Sequence, residues 1–503
     1  MSQLKKGAIL SYITIILTNG IGLLLTPFII KNLGDSEFGL YTLIGSLIAY
    51  ISILDFGLNN TVIRFVSKFR AEKDKTGEEN FLATTLSIYG LISLIILLIG
   101  VFLFYNLGLV FNKLTFTELE TAKSMFKILI FNLAITLPGG AFTAICSGYE
   151  QFVFPRTVNI IKYLSRSILV VGLLFFGGKS IAIVILDTIL NILVIIITMF
   201  YVFLKLKVVI KQHTYDVKLI KQIFLYSIWI FIFAIVGQFQ WTAGQVILGV
   251  ISSTTSVAIY GVGIMLGTYY GAFSSAISGV FLPMATKMTV LNATHEELTT
   301  MMIKIGRFSF MILLLIFGGF LLFGKQFILL WVGNTYNDSW AIAIIVMVGY
   351  TIPQVQSFAN SILEAKSKFS FKAKVYLSLI TLGTFSGVFL HQFYGSLGIV
   401  LGATSGWILS QIVMNFYFNN IIKLQIFRFF KELTSGLLLV FIITLAIGFF
   451  INYIPGNNWL NLVLKILIYF SIFSLAMFKF GINKEEKNLF LSVLTIKFIN
   501  KKK

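Results

Sequence analysis

The chain has 503 residues, of which 57% are apolar or aromatic and 12% charged, about half the charged share of a soluble globular protein. That composition excludes an ordinary water-soluble enzyme and points to helices embedded in lipid. The net charge of +20, from 39 Lys and Arg against 19 Asp and Glu, is read by position, because basic membrane proteins and basic nucleic-acid binders look alike in bulk.

An apolar helix needs about 20 residues to cross the hydrocarbon core. In chain order, stretches of that length bounded by charge or turn residues cover 7–30, 38–62, 81–106, 122–147, 157–177, 181–204, 222–248, 256–285, 303–324, 340–363, 373–393, 396–420, 433–453 and 459–479. These fourteen spans predict an all-α integral membrane protein. Open sheet edges cannot face lipid, and the Ile, Leu and Phe runs lack the alternation of a membrane barrel. The first span is retained as a true crossing, since no small-residue cleavage site follows it.

The charges test the count. With the amino terminus in the cytoplasm, most basic residues fall in inner loops, and only Lys31, Lys113, Lys179 and Lys325 fall in outer ones. That asymmetry obeys the positive-inside rule, and fourteen crossings return the carboxy terminus to the cytoplasm. The +20 therefore records topology and contact with anionic membrane lipids, and no nucleic acid is needed to explain it. The single Cys146 excludes an internal disulfide, and His213, His295 and His391 fall in no ligand-like spacing, so no metal or cofactor is expected.

An internal repeat is visible. Leu33-Gly34 with Gly39 and Tyr41 is echoed by Leu248-Gly249 with Tyr260 and Gly261, and Ser147-Gly148-Tyr149-Glu150-Gln151-Phe152 by Glu364-Ala365-Lys366-Ser367-Lys368-Phe369. Within the two echoes, Gly34 and Gly249 stand 215 residues apart and Gly148 and Ser367 stand 219 apart, or six spans, and an even number makes the repeat parallel. The expected organisation is two six-helix lobes, 1–212 and 213–425, followed by helices 13 and 14 with a basic cytoplasmic tail, 426–503. Gly177-Gly178-Lys179-Ser180 is like the end of a phosphate-binding P-loop, but Leu173 stands where its first glycine belongs and no strand precedes it.

Several marks together resemble a known family. They are Leu33-Gly34 with Gly39-Leu40-Tyr41, Asp55-Phe56-Gly57-Leu58 leading to Arg64, Gly249 with Tyr260, Phe281-Leu282-Pro283-Met284, and Leu330-Trp331-Val332-Gly333 with Tyr336. In order and spacing they resemble the Wzx-type polysaccharide or O-antigen flippases of the multidrug/oligosaccharidyl-lipid/polysaccharide exporter superfamily. The resemblance implies a non-enzymatic exporter in the bacterial inner membrane. Its cargo would be an undecaprenyl-diphosphate-linked glycan moved to the outer leaflet by alternating access, with polysaccharide polymerase machinery as a further partner. One departure is Gly244, within Ala243-Gly244-Gln245-Val246-Ile247, where many relatives carry Asp; ion coupling through that acid does not carry over.

Physical reasoning supports the same cargo, because a charged head group cannot cross hydrocarbon without a wet, basic groove. Lys162 and Arg166, four apart on helix 5, share one face and are the leading phosphate-site candidates, against a structural pairing of Arg166 with Asp187 on helix 6. Lys123 and Lys127 repeat the spacing at the outer end of helix 4, where snorkelling explains them equally well. Arg64 and Arg156 sit at cytoplasmic helix ends, where topogenic charge is the simpler account. Asp55 either titrates during a coupled cycle or pairs with Arg64. Lys465 on helix 14 is expected to anchor at the interface, and Gly263, Gly267 and Gly271 to form a close-packing face, with Pro283 marking a hinge.

Rival functions predict different residues. A drug or cation exporter of the same superfamily favours acidic cavity residues, whereas cations outnumber acids within these spans. A membrane glycosyltransferase or polymerase needs carboxylates on large outer loops, and the longest, about 107–121 and 325–339, hold only Glu118, Glu120 and Asp338. A purely structural subunit leaves the intramembrane cations unexplained.

Overall fold

The computed structural model describes residues 3–215, 217–278, 282–366 and 368–488, and among them it contains helices and no strand. Phe281, Ser367 and residues 489–503 of the basic carboxy-terminal tail lie outside the described residues, whereas Pro283, where a hinge is expected, stands in the first turn of the short helix Leu282–Val290. The helices run α1 Gln3–Leu33, α2 Asp35–Ile51, α3 Leu58–Glu72, α4 Lys75–Val110, α5 Phe116–Gly148, α6 Val153–Phe175 and α7 Ser180–Phe200. They continue as α8 Val217–Trp241, α9 Ala243–Ile251, α10 Thr254–Ser278, α11 Leu282–Val290, α12 His295–Trp331, α13 Asp338–Val355 and α14 Ser357–Ala365. The last are α15 Phe369–Tyr394, α16 Ser396–Asn420, α17 Ile426–Thr434, α18 Leu437–Ile451 and α19 Trp459–Ala476.

Among the described residues, 13 helical spans are long and apolar enough to cross a membrane. They follow the expected spans in order, and the one expected over 256–285 corresponds to α10 and α11. The ends are set by local chemistry. Thr115 with Glu118, and Thr294 with Glu297, form capping boxes that start α5 and α12. The second span, Asp35–Glu72, is broken: after the 3-10 turn Ser52–Asp55, Phe56 (φ 51) and Gly57 (φ 70) turn left-handed before α3 begins.

Two helix ends within the second echo share a hydrogen-bond pattern. At the end of α5, Tyr149 N donates to Ile145 O (2.9 Å) and Gln151 N to Cys146 O (2.8 Å). At the end of α14, Lys366 N donates to Ile362 O (2.9 Å) and Lys368 N to Leu363 O (3.0 Å), each 217 residues further on.

The chain divides into two compact units. The first holds the residues up to Val262 with Ser370–Trp407. At its centre α5 packs on α2, α3, α4 and α7, while α6 packs on α1 and α7. A seam joins α2 and α3 to α8 and α9: Ser46 Oγ bonds Gln245 Oε1, Tyr50 Oη donates to Gln238 O (3.3 Å), and Thr61 meets Ser227 (2.8 Å). Gly39 lies so close to Thr254 that any Cβ would strike its carbonyl, and Gly249 lies equally close to Leu43, which gives these two motif glycines a packing reason.

The second unit holds Gly263–Phe369 and the chain from Ile408 onward. Here the expected glycine face exists: Gly263, Gly267 and Gly271 of α10 lie against Ile342, Val346 and Tyr350 of α13. Helix α12 packs on α13, α17, α18 and α19, so the last two spans lie against it within this unit. Arg307 of α12, 6% exposed, ties them together: it grips Glu486 (2.6 and 3.1 Å) and the carbonyls of Glu432 (2.6 Å), Ser435 (2.9 Å) and Gly481 (3.2 Å). Lys465 also differs from expectation. It is 4% exposed and donates to Gln326 Oε1 and Asn452 O, both at 3.2 Å, because its ammonium finds fixed oxygens inside the helix cluster and has no need to reach the interface.

Candidate functional site

Consecutive helices α6 and α7 are antiparallel neighbours, so residues four apart on one meet residues four apart on the other. Arg166 thereby faces Asp187, and one turn away Lys162 faces Asn191. The guanidinium holds Asp187 by a two-pronged bond, Nε to Oδ1 at 2.5 Å and Nη2 to Oδ2 at 2.8 Å. Nη2 also lies 3.4 Å from the Tyr41 hydroxyl of α2. Lys162 Nζ donates to Asn191 Oδ1, and Asn191 Nδ2 passes the network on to Asn132 Oδ1 of α5 at 3.1 Å. Four helices thus contribute six side chains to one polar ladder within otherwise apolar spans.

The ladder carries one net positive charge, from two cations and one carboxylate. Its ion pair is accessible: the side chains of Arg166 and Asp187 are 22% and 23% exposed. A guanidinium has five N–H groups. Asp187 and Tyr41 engage those on Nε and Nη2, while Nη1 makes no hydrogen bond among the described residues. A planar fork with an open edge is suited to a second, bidentate anion such as a phosphate.

The other candidates lie apart from this cluster. Lys123 pairs with Glu120 at 3.0 Å, and Lys127 sits 4.7 Å from the centre of the Phe104 ring of α4. Arg156 lies 5.7 Å from the Phe152 ring. Arg64 and Lys68 line a cavity between α3 and α8. Asp55 closes the 3-10 turn of the broken second span, where its carboxyl faces Tyr89 and the backbone of Gly57 and Asn59.

Sequence reasoning missed the amides. Asn191 repeats, four residues after Asp187, the spacing of Lys162 and Arg166, and that periodic polar mark on an apolar helix was available to be read. It also missed Glu118, whose Oε1 accepts from Ser36 Oγ (2.6 Å) and Thr254 Oγ1 (2.8 Å), joining α2, α5 and α10. The glycine-rich run at Gly177 proves to be a helix entrance. Glu37 Oε1 accepts from Ser180 N (2.9 Å) and Ser180 Oγ (2.7 Å), so a carboxylate already occupies the place an anion would take. At Gly244 a Cβ would collide with the buried Tyr260 ring, so glycine has a packing reason at this position.

Comparison with known proteins agrees with this architecture. A protein described as "Putative O-antigen transporter" from Shigella flexneri is 21% identical over 397 residues, covering 78% of this chain and 92% of that protein. The solved structure of "Lipid II flippase MurJ, inward closed conformation" superposes with a TM-score of 0.66 at 15% identity, covering 94% of this chain and 98% of the other. An inward-facing multidrug resistance MATE family transporter of the MOP superfamily superposes with a TM-score of 0.63 at 12% identity, covering 84% and 96%. These likenesses show that the chain shares the fold of those solved structures. Residues 4–289 match the model of the family described as "Polysaccharide biosynthesis protein", and the chain belongs to that family.

Proposed function

We propose that the protein is a flippase that moves an undecaprenyl-diphosphate-linked oligosaccharide from the cytoplasmic to the outer leaflet, with both termini cytoplasmic and fourteen crossings. The observation that carries this reading is the open edge of Arg166 within a net-positive ladder of membrane-spanning helices. A buried cation is costly unless it meets an anion or water, so an accessible guanidinium left part-unbonded is one whose further partner arrives from outside the chain. The O-antigen transporter similarity and the polysaccharide family support a lipid-linked glycan as that partner. The matching helix ends 217 residues apart support two parallel lobes, 1–212 and 213–425, rocking in alternating access.

A head group of charge about −2 leaving a negative-inside cell gains roughly 4.6 kcal/mol per 100 mV if it crosses the full field. That gain can drive export without a coupling ion. The test is the fate of the cargo in cells depleted of the protein: the lipid-linked repeat unit should accumulate on the cytoplasmic leaflet. Single repeat units found already on the outer leaflet would assign the defect to a polymerase and overturn the reading.

A further inference from the structure

Away from the ladder, the inner ends of α3 and α8 enclose two adjoining cavities that share Leu225. The first, about 380 Å³, is lined by Arg64, Lys68 and Gln222 among others. The second, about 320 Å³, is lined by Phe56, Phe224 and Ile228, with Lys221. No carboxylate is among the described residues that line either cavity, and Lys68 pairs at 4.0 Å with Glu72, which lies outside the lining.

The two helices carry the same gradient. On α3, Arg64 and Lys68 share a face toward the cytoplasmic end, and Phe56 lies deeper along the span. On α8, Lys221 precedes Phe224, Leu225 and Ile228, which are 42%, 61% and 41% exposed, and seven residues of helix carry the groove about 10 Å toward the bilayer centre. A slot that is cationic at the interface and apolar below it has the polarity of a lipid lying along the membrane normal. Phe56 adds an independent mark. A bulky residue with φ 51 is a backbone outlier of the kind retained at functional sites, and its ring, stacked 4.6 Å from Phe231, lines the apolar part.

We propose that this groove is where the diphosphate lipid is captured on the inner leaflet before its head group enters the bundle. Arg64, Lys68 and Lys221 hold the diphosphate, and the cavity between Phe56 and Ile228 takes the first units of the prenyl chain. The inference rests on the transport reading above and adds a loading site to it. Three cations along one groove match a diphosphate better than the single charge of a phosphodiester lipid.

The experiment uses the full chain in phosphatidylcholine vesicles with a benzophenone-bearing prenyl diphosphate as photoreactive probe. Saturable labelling is expected on peptides from α3 and α8. Excess undecaprenyl diphosphate should remove it, and equal excess phosphatidylglycerol should not. Labelling there should fall at least tenfold in the Arg64→Gln/Lys68→Gln/Lys221→Gln variant, whose exposed positions leave the fold intact, and also in Ile228→Trp, which fills only the apolar end. Labelling confined to α6 and α7 overturns the groove while leaving the transport reading standing. Equal competition by phosphatidylglycerol overturns it in favour of a site for bulk anionic lipid. Saturable labelling nowhere overturns both the groove and the transport reading.

Discussion

Two arginines, one in each compact unit, use the same side chain to opposite ends. Arg307 commits all five of its N–H groups to Glu486 and three carbonyl oxygens, and its side chain is 7% exposed. Arg166 commits three, keeps Nη1 unbonded among the described residues, and is 22% exposed. A saturated guanidinium can take a ligand only by breaking bonds that hold the protein together, so it is structural. An unsaturated one beside a single carboxylate has donors ready and a geometry already fixed. Counting donors separates the two roles where charge and depth alone do not.

The comparison is broken most forcefully at Arg307. Arg307→Ala leaves Glu486 buried without its cation and three carbonyls without their donor, and losing one partner of a buried pair costs about 3–5 kcal/mol. The expected result is a sharp drop in melting temperature and in yield of folded protein from detergent. Melting at the wild-type temperature would show that the clamp is not structural.

The effect on stability should be smaller at Arg166, and the effect on function larger. The side chains of the Arg166–Asp187 pair are only partly buried, so Arg166→Ala should cost about 1–2 kcal/mol, below the range for fully buried pairs. Surface glycan should nonetheless disappear while the variant remains in the membrane at normal level. Arg166→Lys keeps the charge without the planar fork and should restore export only in part. Full export by the alanine variant, measured as surface polysaccharide against protein abundance, would remove the ladder from the mechanism.

How much of this was legible follows from the range of each interaction. Hydrophobic runs and loop charges are local, so the spans could be read directly and recur in order. The shared face of Lys162 and Arg166 followed from helical spacing, and Asp187 was named as the structural alternative to a phosphate at Arg166. The ladder's amides stayed hidden because uncharged Asn132 and Asn191 barely interrupt an apolar stretch. Long-range pairs left no local trace: Glu37 caps a helix 143 residues away, and Arg307 meets Glu486 across 179. Lys465 was misread for the same reason, since the oxygen from Gln326 comes from 139 residues away.

Gly244 sharpens the comparison by the addition of an acid. Gly244→Asp puts a Cβ into the Tyr260 ring, which is buried and must shift to make room. Overpacking of this kind costs about 1–3 kcal/mol. The variant should melt earlier than wild type and should not acquire sodium- or proton-dependent export in vesicles with imposed gradients. Gain of ion dependence would mean that a carboxylate at this position is enough to couple export to an ion gradient.

The smallest effect is expected at Lys127, which tests whether intramembrane charge by itself marks function. Its ammonium is exposed and rests over the Phe104 ring, a contact worth about 0.5–1 kcal/mol at such a site. Lys127→Gln keeps the stem that covers apolar surface and removes only the charge. Export should stay within about twofold of wild type, since a difference of 0.5 kcal/mol changes an equilibrium by roughly that factor. A loss as deep as that of Arg166→Ala would mean that the cargo travels along α5 on a second, lipid-facing track, and that an open donor edge is not what distinguishes a transport cation from an anchoring one.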